Sequence, residues 1–114
     1  MRHKAEKHWQ DISIAVDEVE VFALKKSFSD YCKDRMLQAA IERELEIIGE
    51  ALNRLEDMDK AGLEKSLPEY RKIIGLRNVL VHGYDIVDNE IIWDLVKNKI
   101  PELKAKVRII LHSY

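Results

Sequence analysis

Six aliphatic residues, Leu37, Ile41, Leu45, Ile48, Leu52 and Leu55, recur at steps of four, four, three, four and three along the middle of the chain. That period belongs to an α-helix and not to a strand, and it keeps one apolar stripe on one side. A helix running from about Asp30 to Met58 would be about 40 Å long at 1.5 Å per residue. So long a stripe has to be covered, and the remaining segments are themselves helical in pattern.

Ile12, Val16, Val19 and Ala23 step by four, three and four and mark a first helix that begins before Ile12 and ends near Lys26. "SFSD" offers Ser29 and Asp30 as N-cap candidates for the long helix, and "DMDKAG" ends it before a short turn or helix around Leu63. In "SLPE", Ser66 and Glu69 stand at capping-box spacing with Pro68 in the first turn, which predicts a third helix reaching His82 and stopped by Gly83. Asp88 can cap a last helix through "NEIIWDLVKNKI". Pro101 is expected to kink or restart it, since Ile92, Leu95, Ile100, Leu103, Val107 and Ile110 keep one apolar face across the break. The expected architecture is all-α, an antiparallel bundle of four to five helices, as a single domain over residues 1–114.

Composition fits that reading. Apolar residues make up 46% and charged residues 35%, with four Gly and two Pro, which suits a packed helical domain and excludes disorder. The formal net charge of −2 excludes a uniformly basic coat for nucleic acid, so a polyanion would have to be met by a local patch. Cys32 is the single cysteine and has no internal disulfide partner, which fits a reducing cytoplasm. The first twenty residues are charged throughout, and no window approaches the roughly 20 apolar residues that span a bilayer. A soluble cytoplasmic protein without a membrane partner is the expectation.

The stretch "RNVLVHGY", Arg77 to Tyr84, puts a guanidinium, a carboxamide, an imidazole and a phenol into a segment otherwise patterned as buried helix. Ile73, Leu76 and Leu80 give its core face, whereas Arg71, Gly75, Asn78 and His82 form a second stripe nearly opposite. Gly75 leaves that stripe open to close approach, so a helix with two apolar flanks is expected to meet its own bundle and a ligand or second protomer. Arg77 lies five residues before His82, about 140° away on a continuous helix. A site using both is easiest to build at a groove, or where a symmetry-related copy contributes its own residues, and this argues for a homodimer.

These residue types suit phosphoryl transfer on RNA without a metal or other cofactor. His titrates near neutrality and can take a proton from a 2′-hydroxyl or return one to a leaving 5′-oxygen. Arg holds its charge and can bind two phosphate oxygens together. Asn78 can orient either partner, and Arg71 and Lys72 extend positive charge as possible RNA phosphate contacts, with no acid between Glu69 and Asp85. As a bare pattern, however, Arg-x4-His is more often a structural helix end: His suits the dipole there, Arg snorkels and Tyr anchors a turn.

"ERELEIIGEAL", "IIGLRNVLVHGY" and "VDNEIIWDLVKNKIPELK" occur in that order, and together they resemble the HepT-like branch of the HEPN superfamily from about Asp11 to Leu111. Its signature is Arg-x4-6-His, extended in this branch to Arg-x4-His-x-Tyr. The resemblance implies a dimeric helical bundle that acts as a metal-independent endoribonuclease toxin, with its site in the dimer cleft. It further implies a cognate minimal nucleotidyltransferase antitoxin that places AMP on the motif tyrosine. By position, Arg77 and His82 become the catalytic pair, Asn78 the supporting polar residue and Tyr84 the AMP acceptor; RNA, and not DNA, is the expected substrate. Tyr70 stands where relatives often carry Trp, a position expected to be structural.

Other residues are read more plainly. Glu42, Glu46 and Glu50 recur every four residues but lack an ExxH pair, so they are expected to form a solvated or ion-paired helix face, with Glu46 and Glu50 as cleft candidates and no metal bound. Gly49 costs helix propensity, and close helix packing is its expected reason. His3, His8 and His112 are expected at the surface, Cys32 buried or half-buried, and Trp9 and Trp93 in the packing. The competing functional class is a non-catalytic helical module that binds nucleotide or presents substrate to a nucleotidyltransferase partner.

Overall fold

A computed structural model describes residues 2–82 and 88–114 of the protein, and for Arg2 and residues 78–82 it describes the backbone alone. Gly83 and Tyr84, together with the side chains of Asn78, Leu80 and His82, therefore lie outside the described residues.

Helix α1 (Arg2–Ala23) buries Ile12, Val16, Val19 and Ala23 as their spacing predicts, with Trp9 a turn earlier. After Lys25, whose φ is 59°, Ser27 opens the short α2 (Phe28–Lys33). Its hydroxyl accepts from the Asp30 amide at 3.1 Å while the Asp30 carboxylate accepts from the Ser27 amide at 2.8 Å, a reciprocal cap. Ser29 and Asp30 thus do not cap the long helix. That role falls to Asp34, extended at φ −112°, whose carboxylate accepts from the Leu37 amide at 3.0 Å and starts α3 (Arg35–Ser66). A gap of one extended residue between two helical stretches leaves only Asp34 in position to do so.

All six stripe residues of α3 are buried, each worth roughly 1.5–3 kcal/mol on removal from water, so α3 is the axis on which the bundle assembles. The expected break at "DMDKAG" is present. Asp59 leaves helical geometry (φ −160°, ψ 80°) and caps Gly62 at 3.0 Å, and a short helical tail then buries Leu63. The capping box expected at Ser66 and Glu69 does not form, because the Ser66 hydroxyl donates back to the Gly62 carbonyl at 2.9 Å and the buried Leu67 ends the helix. α4 (Tyr70–His82) follows after a short turn. Tyr70 reaches Glu56 and Arg77 reaches Glu50, so residue numbers rise along α4 as they fall along α3, and the two helices are antiparallel.

Asp88 caps α5 (Asn89–Asp94) by accepting from the Glu90 amide at 2.8 Å. A π turn over Leu95–Lys99 leads into α6 (Ile100–His112). Pro101 has no N–H for the carbonyl four residues back, and the helix widens ahead of it before restarting. Ile92, Ile100, Leu103 and Val107 stay buried across that break, with Leu95 and Ile110 packed beside them. α6 lies on α1, where Lys104 meets Glu20 at 2.5 Å and Asp17 at 3.4 Å.

Trp93 stacks on the buried Tyr31 with ring centroids 5.2 Å apart, so both tryptophans serve packing as expected. Cys32, by contrast, is exposed. On so short a helix Tyr31 takes the inward position, and one helical step of about 100° turns Cys32 outward. Among the described residues there is no strand, and no helix is long and apolar enough to cross a membrane.

Candidate active site around Arg77

Tyr70, Ile73, Ile74 and Arg77 fall at i, i+3, i+4 and i+7 on α4, which puts them on one face. That face lies on α3. Tyr70 is fully buried and donates to Glu56 Oε2 at 2.6 Å, which fits the structural role expected for it. Ile73, Ile74 and Leu76 are packed against the core. Ile73 and Leu76 are where the sequence puts the core face, but Arg77 turns inward as well, with 24% of its side chain exposed.

What admits Arg77 is Gly49. A Cβ added to Gly49 would stand 2.5 Å from Arg77 Cγ and closer still to its Cβ, well inside van der Waals contact. The arginine stem lies flat against the α3 backbone, which is the close packing expected of Gly49. The next residue, Glu50, takes the guanidinium: Arg77 Nη2 donates to Glu50 Oε2 at 3.1 Å. The other carboxylate oxygen of Glu50 accepts from Arg54 Nε, also at 3.1 Å.

Arg77 thereby lines a groove of about 360 Å³ between α1 and α3, together with His8, Asp11, Arg43, Glu46, Glu50 and Arg54. Its charges are nearly balanced. Arg43 stands 3.7 Å from Glu46, and Arg54 and Arg77 share Glu50. The ion-paired face expected of Glu46 and Glu50 is thus present, and both line the groove. His8, expected at the surface, is half-buried here. One helical step from buried Trp9 and four before buried Ile12, it was bound to face partly inward, and that neighbourhood is the signal that could have placed it. Arg43 and Arg54, hidden in the sequence as ordinary surface charges, are likewise groove residues.

Arg71 and Lys72 lie elsewhere. Arg71 is 3.1 Å from Glu64 and 4.0 Å from Glu56, so the positive field expected along α4 is offset by carboxylates that α3 supplies from a distance in sequence. Lys72 borders a separate apolar cleft between α4 and the α5–α6 arm, beside Ile73, Leu76, Leu95 and Leu103. Gly75 is exposed, and among the described residues a Cβ there would meet nothing beyond its own helix backbone within 4 Å. The backbone of His82 forms the last residue of α4, five after Arg77, and Asn78 directly follows Arg77. Tyr84 lies beyond the described residues.

Among the described residues no cluster of three or more His, Cys, Asp or Glu is arranged to hold a metal ion. One buried carboxylate of α3, outside the groove lining, departs strongly from ordinary behaviour. Burial, reinforced by the neighbouring Glu18, pushes the Glu44 carboxyl up to about 7.

The family model described as Ribonuclease HepT-like matches residues 12–110 of the chain. A protein of Thermococcus cleftensis named as a probable ribonuclease HepT is 35% identical over 106 residues, covering 93% of this chain and 94% of that one. Proteins with provisional RNase names show 32% identity in Methanocaldococcus jannaschii, over 88% of this chain and 90% of the relative, and 43% in Caldanaerobacter subterraneus, over 76% of each. No solved structure was found to match.

Proposed function

The chain belongs to the Ribonuclease HepT-like family, and from that premise we propose that it is a metal-independent endoribonuclease in which Arg77 and His82 act on one RNA phosphodiester. The observation that carries this reading is the placement of Arg77. An arginine seated on a glycine, with its guanidinium at the edge of a groove, costs helix propensity at Gly49 and desolvation at Arg77. A surface arginine that merely ends a helix needs neither.

In this mechanism Arg77 binds the non-bridging oxygens and stabilises the charge that builds on phosphorus, while His82 moves the proton at the 2′-hydroxyl or the 5′-oxygen. Asn78 orients one of the two. The protein works as a homodimer, with the exposed α4 surface at Gly75 beside the contact. Its partner is a minimal nucleotidyltransferase antitoxin that adds AMP to Tyr84, and the pair is a toxin–antitoxin system acting in the cytoplasm. Arg71 and Lys72 serve at most as outlying contacts to the RNA backbone.

The near-balance of charge in the groove supports the second reading, a non-catalytic helical module that binds nucleotide or presents substrate to its partner. Incubating the purified protein with labelled RNA separates the two. Cleavage that disappears in His82→Ala supports the nuclease, and intact RNA with a folded, dimeric wild-type protein supports the module.

A further inference from the structure

We propose that Glu50, braced by Arg54, is the positioning residue that sets the guanidinium of Arg77 for phosphate binding; this rests on the nuclease reading above. The inference comes from three contacts along two turns of α3. Gly49 removes the side chain that would push Arg77 away, so the arginine stem is fixed against the helix backbone. Glu50 Oε2 then takes one edge of the guanidinium at 3.1 Å, and its Oε1 is itself held by Arg54 Nε at 3.1 Å. A carboxylate gripped from both sides has little rotational freedom left, and the planar guanidinium it holds inherits that orientation.

Magnitudes separate positioning from simple stabilisation. Glu50 is 44% exposed and Arg54 63% exposed, so as surface ion pairs the two contacts add little to folding. Their effect on a reaction is of another order, because displacing a group that must meet a phosphate by about 1 Å costs on the order of 100-fold in rate. Glu50 never touches the substrate in this account. It also keeps the groove from becoming a general anion trap, since Arg77 accepts a phosphate only where the ligand geometry competes with a carboxylate already in place.

The test uses the full chain. Glu50→Gln keeps the shape and loses the charge; it is expected to lower kcat on RNA by about 10- to 100-fold while KM changes less than about threefold and Tm stays near wild type. Arg54→Ala is expected to give a smaller loss of the same kind, and Glu50→Gln placed in Arg77→Lys should cost clearly less than it does alone. A readout independent of turnover is the side-chain Nε–Hε resonance of Arg77, assigned by its loss in Arg77→Lys. Its order parameter is expected to fall in Glu50→Gln. Unchanged kcat and unchanged Arg77 mobility overturn the proposal, and so does a loss expressed wholly in KM or in Tm. If the wild type cuts no RNA, the nuclease reading fails, while the Arg77 resonance still decides whether Glu50 holds this side chain.

Discussion

Gly49 and Arg77 meet so closely that no side chain fits between them: a Cβ on Gly49 would lie 2.5 Å from Arg77 Cγ. The atoms in the way are at the base of the arginine stem, so α4 itself would have to move. Gly49→Ala is therefore expected to lower stability by about 1–3 kcal/mol despite its better helix propensity. Denaturant unfolding measures this, and a stabilised Gly49→Ala protein would show that the contact is slack.

Gly75 is the opposite case, a helical glycine whose added Cβ would meet nothing beyond its own helix backbone within 4 Å among the described residues. Gly75→Ala is expected to stabilise the monomer by up to about 1 kcal/mol through propensity alone. Gly75→Leu should keep full helicity by circular dichroism yet weaken the dimer. Sedimentation would show the wild type near twice 13.4 kDa, and a wild type that stays monomeric at tens of micromolar would remove the composite site.

Glu44 gives a pH signature. Its carboxyl titrates at about 7 in the folded protein against an ordinary 4.5, so the folded state binds more protons than the unfolded state between these values. Stability should fall as pH rises through that window and level off above it. Glu44→Gln stays neutral and is expected to flatten the fall and raise Tm above pH 7 by a few degrees, the shift expected for about 1 kcal/mol. An unchanged slope in the variant would assign the pH dependence to another group.

Tyr84 is the expected acceptor of AMP. A phenolic oxygen can attack the α-phosphate of ATP once a partner's metal-bound site positions it, releasing pyrophosphate. The added phosphodiester would place a negative charge near Arg77 and His82 and repel an RNA backbone. Co-expression with a minimal nucleotidyltransferase of the proposed antitoxin type is expected to raise the mass by one or more AMP units on Tyr84, and Tyr84→Phe should stay toxic beside it. Modification at Tyr70 or Tyr114 would refute the assignment; for Tyr70 the buried ring already argues against it.

The long-range plan was legible because apolar period is a property of single helices: the stripes of α1 and α3 and the apolar run from Ile92 to Val107 are buried where spacing puts them. What failed was local competition between caps. Ser27, Ser29, Asp30 and Asp34 are all competent N-caps, and the extended backbone at Ser27 and at Asp34 gives the caps of α2 and α3 to those two. The site was legible in part. Gly49 advertised a close approach through its propensity cost, yet nothing in the sequence said that Arg77, twenty-eight residues on, was what approached it. The carboxylates around Arg71 and Arg77 come from α3, which the fold lays back against α4, so a positive run read along α4 alone misjudged the local field.

The most direct measurement follows the ends of the RNA. With Arg77 binding the phosphate and His82 moving the proton, attack by the 2′-hydroxyl leaves a 2′,3′-cyclic phosphate and a 5′-hydroxyl and needs no metal. Purified wild-type protein in excess EDTA is expected to give these ends, and a 2′-deoxy substitution at the cut nucleotide should block the cut. Arg77→Ala and His82→Ala, folded by circular dichroism, should each leave the RNA intact. Cleavage that stops in EDTA, that yields 5′-phosphate ends, or that survives in Arg77→Ala would contradict the account.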